Sequence, residues 1–155
     1  MGLTKQDARK VIDVYIRAWE TQDPNLIVTI FTESATYHER VLRGPIPSRE
    51  AIREYWQEKV IGDQANITCR LLNLYLDGNT VIAEWLAEFD DMAQGVRKRM
   101  KEIAVLDFEW MGASRGWLIA SLREYWASET VGQVADRYVH ADAVEGWNRP
   151  AETEA

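Results

Sequence analysis

A chain of 155 residues, 46% of them hydrophobic and seven of them Trp, is long enough for one domain with a sizeable core and too short for two. Eighteen basic against 25 acidic side chains leave a net charge of −7. That balance argues against a nucleic-acid or anionic-membrane surface, which needs clustered Lys and Arg to neutralise phosphate. The lone Cys69 excludes an internal disulfide, no early basic-then-apolar segment resembles a secretion signal and no apolar run reaches bilayer length, so a cytoplasmic protein is expected.

Thr4-Lys5-Gln6-Asp7 reads as a helix start, with Thr4 as N-cap and the Asp7 charge complementing the helix dipole. Ala8, Val11, Ile12, Tyr15, Ala18 and Trp19 then recur at helical spacing, which puts Tyr15 on a buried face. Asp23-Pro24 breaks this helix and opens a short second one that ends near Phe31, because Pro suits a first helical turn. Ala35 to Arg40 alternates as a strand, with Tyr37 and Glu39 on one face and Thr36 and His38 on the other. After the Gly44-Pro45-Ile46-Pro47 loop, Ser48 caps a third helix that buries Ile52, Tyr55, Trp56 and Val60 and ends near Gly62.

From Asn66 the period changes to two. Ile67, Cys69 and Leu71 alternate, then Leu72, Leu74 and Leu76 carry the opposite phase, so a bulge or a strand buried on both faces lies near Leu71. Asp77-Gly78-Asn79 marks a hairpin turn, followed by a strand with Val81, Ala83, Trp85, Ala87 and Phe89 on one face. A polar loop from Asp90 to Val96 leads into a long strand to about Met111, and its basic run Arg97-Lys98-Arg99 with Lys101 reads as a solvated strand end. Gly112 to Gly116 turns the chain into a last strand, Trp117 to Trp126. Residues 1–128 are read as the domain and 129–155 as a C-terminal extension, loosely amphipathic and helical from Ser128 to Gly146, with a frayed tail from Pro150.

Three helices, a short strand between the second and third, and four antiparallel strands imply an α+β cone-shaped half-barrel, with the helices packed on a curved, mainly antiparallel sheet. The gap between the helices and the concave face is a natural ligand cavity. The helix with Tyr15 and Trp19, the Asp23-Pro24 break, IFTESATYHE, SREAIREYW and the closing LREYW at Leu122 to Trp126 follow one another in an order that resembles the SnoaL-like and ketosteroid-isomerase-like branch of the nuclear transport factor two superfamily. The resemblance spans Asp7 to Ala127 and implies this fold together with a homodimer through the sheet. It also implies roles: Tyr15 stands where the isomerases place a tyrosine that donates to a developing enolate oxygen, and Glu39 where they place their carboxylate base. Their protonated aspartate falls at Leu106, with Asp107 one residue away on the opposite face. The long strand reads Leu106-Asp107-Phe108-Glu109, without the Arg-x-Asp of epoxide-hydrolase relatives, which ranks epoxide hydrolysis below proton transfer.

Proton abstraction beside a carbonyl needs a base near the carbon acid and a donor facing the oxygen that becomes negative. Glu39 and Tyr15 supply that minimum, in a pocket lined by Trp19, Tyr37, Trp56 and Trp85. Asp107, Arg123 and Tyr125 are further pocket-lining candidates, although alternation alone leaves open which sheet face is concave, and the same holds for Glu84, Glu102 and Glu109. The competing reading has Glu39 ending an edge strand in water and Tyr15 packed in the core. Two distant histidines and one cysteine give no metal-ligand spacing, and the absence of a Gly-rich phosphate loop implies no nucleotide or flavin, so no cofactor is expected. Two functions follow: a cofactor-free isomerase, cyclase or dehydratase acting on a small apolar or carbonyl-containing ligand, or a non-catalytic ligand-binding or dimerisation module.

Overall fold

The computed structural model describes residues 2–134. Helix α1 (Lys5–Thr21) starts with a reciprocal capping box between Thr4 and Asp7 and ends at Gln22, a non-glycine residue in the left-handed region with φ of 54°. Asp23 then accepts from the backbone N–H groups of Asn25 and Leu26 to cap α2 (Pro24–Ile27), which passes through a 3₁₀ turn (Val28–Ile30) into strand β1 (Phe31–His38). The second helix is therefore shorter than the apolar pattern suggests, and β1 begins four residues before Ala35. Alternation hid this start, because a register irregularity separates the Phe31–Ile119 pair from the Thr36–Ser121 pair. Helix α3 (Arg49–Tyr55) is capped by the Ser48 hydroxyl and continues as a π-helical stretch from Trp56 to Ile61.

Strands β2 (Gln64–Asp77), β3 (Thr80–Asp91), β4 (Val96–Trp110) and β5 (Trp117–Gln133) form an antiparallel meander, and β1 adds parallel to β5. The order across the sheet is β1-β5-β4-β3-β2. The helices lie against one face, so the α+β half-barrel expected from the order of elements is the fold. The phase change in β2 is a bulge between Leu71 and Asn73, and Gly78, with φ of 62°, sits in the turn that joins β2 to β3. The inward phase is set by Val81, Ala83, Trp85, Ala87 and Phe89 on β3 and by Glu102, Ala104, Leu106 and Phe108 on β4, all buried against Ile12, Tyr15, Ile27, Ile52 and Trp56 from the helices.

Two expectations change. The basic run at the start of β4 is not a solvated strand end: Arg97 is buried and ion-paired to Asp90 (3.2 Å), Lys98 pairs with Asp91 (3.1 Å) and Arg99 with Glu88 (3.1 Å) across the β3–β4 hairpin. Cross-strand register, invisible to a run of like charges, supplies the counter-ions. The helix read from Ser128 is β-strand as far as Gln133, because 128–133 pair with 96–100 of β4. The rest of that stretch and the tail from Pro150 lie outside the described residues.

Candidate functional site

Residues of α1, β1, α3, β4 and β5 converge on a chamber of about 50 Å³. Tyr15, Trp19, Tyr37, Trp56, Glu102 and Glu124 form its walls. It adjoins an outer cleft of about 400 Å³, and Glu39, Tyr55, Gln64, Met100 and Trp126 line both spaces. An inner space of that size holds waters or the reacting end of a molecule, with the body of the ligand in the cleft.

At the floor of the chamber three oxygens form a triangle. The Tyr15 and Tyr37 hydroxyls lie 2.9 Å apart, and each can donate to Glu124 Oε2, at 3.1 Å and 3.2 Å. Two phenolic protons serve three contacts, so with Glu124 ionised both protons stay within the triangle. Burial, followed by the Glu124 charge, raises both tyrosines well above their ordinary values, which keeps them neutral donors.

Glu102 and Glu124 project side by side from β4 and β5, and their side chains are all but buried. Burial comes first in raising Glu102 well above the carboxylate range, and the neighbouring Glu124 charge comes second. Glu124 is pushed up to about 7, again by burial, while hydrogen bonds from Glu102 and Tyr15 oppose the rise. The pair therefore shares protons: Glu102 holds one and donates, and Glu124 carries the charge that the two tyrosines stabilise. Among the described residues Glu102 Oε2 and Trp56 Nε1 are buried without a hydrogen bond of good geometry, and the Trp85 indole N–H, which points toward Glu102, partly offsets the rise of that carboxyl.

Tyr15, Trp19, Tyr37, Glu39 and Trp56, singled out from the sequence, thus share one chamber. Glu39 stands just past the end of β1 at the junction of chamber and cleft, with its side chain 26% exposed and paired to Arg40 Nε at 3.2 Å. Trp85 is not on the wall: it lies in the core, its ring stacked on Tyr15 with centroids 5.0 Å apart. Asp107, Arg123 and Tyr125 do not line the pocket either. Leu122 and Glu124 take the inward phase of β5, which turns Arg123 and Tyr125 to the convex face, where Arg123 bonds Asp107 at 3.2 Å. Asp107 also accepts from Thr80 there (2.7 Å).

Sequence reasoning left Glu102 undecided and passed over Glu124. The signal was available in hindsight: each is a carboxylate in the apolar phase of its strand, Glu102 with Ala104 and Leu106, Glu124 with Leu122. Pairing β4 to β5 is what places them together, since Glu102 faces Trp126 and Ala104 faces Glu124 in the ladder.

An α+β cone with a chamber between helices and concave sheet defines the nuclear transport factor two-like class of small-molecule-binding folds. Within that class the SnoaL-like domain profile matches residues 12–112, and the chain belongs to the SnoaL-like domain family. Three solved structures share the fold. The epoxide hydrolase/cyclase-like enzyme SalBIII of pyran ring formation in salinomycin is similar at 24% identity and a TM-score of 0.66, over 82% of this chain and 98% of that one. A type 2 hexachlorocyclohexane dehydrochlorinase is similar at 10% identity and 0.68, over 81% and 86%. A nuclear transport factor 2-like protein from Salmonella enterica serovar Typhimurium is similar at 18% and 0.65, over 78% and 89%. No curated protein matches the chain in sequence.

Proposed function

We propose that the chain is a cofactor-free proton-transfer enzyme of the isomerase, cyclase or dehydratase kind, acting on a small apolar or carbonyl-containing ligand. One observation carries the reading. Two buried carboxyls, Glu102 and Glu124, stand together in the wall of one chamber, and burial raises both out of the usual carboxylate range, Glu124 to about 7. Tyr15 and Tyr37 hold the Glu124 charge in place, and Glu39, at the junction with the cleft, is a second carboxylate within reach of a ligand that spans both spaces. Relatives of this fold that act as a cyclase-like enzyme and a dehydrochlorinase support the general class.

A ligand screen by thermal shift, followed by turnover assays on the hits, tests it. Glu124→Gln and Glu39→Gln are each expected to lower turnover by roughly 10²–10⁴-fold, well beyond any change in ligand affinity, the range for loss of a general acid or base. If binding ligands are found and none is converted, the chain is the non-catalytic binding module instead. That second reading has its own support, because both chamber tyrosines are engaged by Glu124 and neither is left to a ligand oxygen.

The convex face carries exposed Tyr75, Ile82, Ile103 and Tyr125, with Tyr75 opposite Ile82 and Ile103 opposite Tyr125 in the ladder. That apolar surface supports the homodimer through the sheet. Sedimentation at micromolar concentration is expected to give a dimer, and Ile103→Lys a monomer; a wild-type monomer overturns the assignment. The cytoplasmic location is proposed on the lone thiol of Cys69, which burial holds well above its ordinary pKa and so in an unreactive form. No helix among the described residues is long and apolar enough to cross a membrane.

A further inference from the structure

Of the twelve described residues that line the chamber, six are aromatic, three are glutamates and none is Lys, Arg or His. A pocket so composed discriminates by charge. An anionic ligand would bring a like charge against Glu124 and Glu39, whereas a cation would supply the counter-ion that neither Glu102 nor Glu124 finds among the described residues.

The hydrogen-bond inventory points the same way. Most lining donors are already engaged: Tyr15 and Tyr37 within the Glu124 triangle, Trp19 Nε1 on Gln64 (2.9 Å) and Trp126 Nε1 on the Glu39 carbonyl (3.1 Å). One buried acceptor keeps spare capacity: Glu102 is only 3% exposed, Trp85 and Glu124 approach it, and its Oε2 meets no donor in good hydrogen-bonding geometry among the described residues. Trp56 Nε1 is a donor without an acceptor and favours a ligand oxygen, but a charge-assisted bond to a carboxylate outweighs a neutral one by about twofold. The aromatic rim also holds a cation already, since the Arg40 guanidinium lies 5.7 Å from the centre of the Trp126 ring.

We infer that the chamber selects a ligand whose buried end is a protonated amine on a small apolar body. The ammonium N–H groups meet Glu102 and Glu124, and the apolar body rests against Trp19, Trp56 and Met100. This names the ligand class of the same site and rests on reading the chamber as a ligand site, not on any turnover there.

The groups that face the carboxyl pair are Tyr15 from α1, Tyr37 from β1 with Glu39 just beyond it, Tyr55 from α3 and Cys69 from β2. The tyrosines and the thiol are all raised, chiefly by burial, and stay neutral through pH 8. Between pH 6 and pH 8 the raised carboxyl pair is the group that a bound cation would ionise, so binding should release protons and tighten as pH rises.

Calorimetry with cyclopentylamine, cyclopentanone and cyclopentanecarboxylate on the intact chain tests the inference. The amine is expected to bind at least roughly tenfold more tightly than the ketone or the acid, the ratio of one charge-assisted contact. Its heats are expected to depend on buffer ionisation in the sense of proton release. Glu124→Gln is expected to weaken the amine by about tenfold and leave the ketone unchanged. Glu102→Gln carries the same comparison if Glu124→Gln has no cooperative thermal transition. No saturable amine binding, or equal affinity for amine and ketone in the wild type, overturns the inference. An amine that binds with the expected proton release in a protein that turns over nothing overturns the enzyme reading alone.

Discussion

Strands β3, β4 and β5 carry two clusters of buried carboxylates, and they are neutralised in opposite ways. At one end of the sheet, on the convex side, Asp90 meets Arg97 (3.2 Å) and the Asn66 amide (2.7 Å), while Glu88 takes Arg97 and Arg99. On the concave side, Glu102 meets Glu124 and Glu124 meets two tyrosines, with no cation among the described residues of the chamber wall. The first cluster is closed, because fixed positive charges on neighbouring strands match its acids. The second is neutralised by a proton, and a proton can leave. Asp90, Glu102 and Glu124 are all buried; the availability of a counter-ion separates a fixed ion-pair network from a pair that keeps an exchangeable proton.

Substitutions sharpen this contrast. The largest expected effect is on the closed cluster: Arg97→Leu removes the cation from Asp90 and should cost about 3–5 kcal/mol in urea unfolding, the range for breaking a buried pair from one side. A loss below about 1 kcal/mol would place the network with exposed ion pairs instead.

The proton-sharing pair should respond to pH. A carboxyl whose folded pKa is raised stabilises the fold most at pH below the unfolded value, and that stability is lost as pH rises through the folded value, here about 7. Between pH 4 and pH 8 the wild type should therefore lose about 3 kcal/mol relative to Glu124→Gln, whose profile is flatter. Glu124→Gln should therefore stabilise the protein at pH 8, and parallel profiles for the two proteins would remove Glu124 from the charge-bearing role.

A smaller effect, about 1 kcal/mol, is expected for Tyr37→Phe, which deletes one donor to Glu124. Because that bond lowers the Glu124 pKa, its loss should move the carboxyl titration followed by carbon NMR above 7. The smallest belongs to the surface: breaking Arg9–Asp13, with side chains 58% and 55% exposed, should change stability by less than about 0.5 kcal/mol.

How far the sequence carried each part follows from the range of the interactions involved. Caps and turns are local, so Thr4, Ser48 and Asp23-Pro24 marked the helix starts, and Gly78 marked the hairpin. Side-chain period carried the sheet and even the β2 bulge, through the phase change at Leu71 and Leu72. Period could not say which phase is concave, and Asp107, Arg123 and Tyr125 were placed in the pocket from the wrong side of the sheet.

The sequence by itself determined the helix starts, the strands as far as Trp126 and their order, because these depend on neighbours a few residues apart. It also carried Tyr15, Trp19, Tyr37, Glu39 and Trp56 to one cavity. Only the tertiary structure decided which carboxyls stand beside them. Glu124 lies 109 residues from Tyr15 and 87 from Tyr37, and its meeting with them and with Glu102 depends on strand register and on which face the helices cover. An isolated glutamate in a strand is chemically ordinary; beside a second one, out of water and without a cation, it holds a proton near neutral pH.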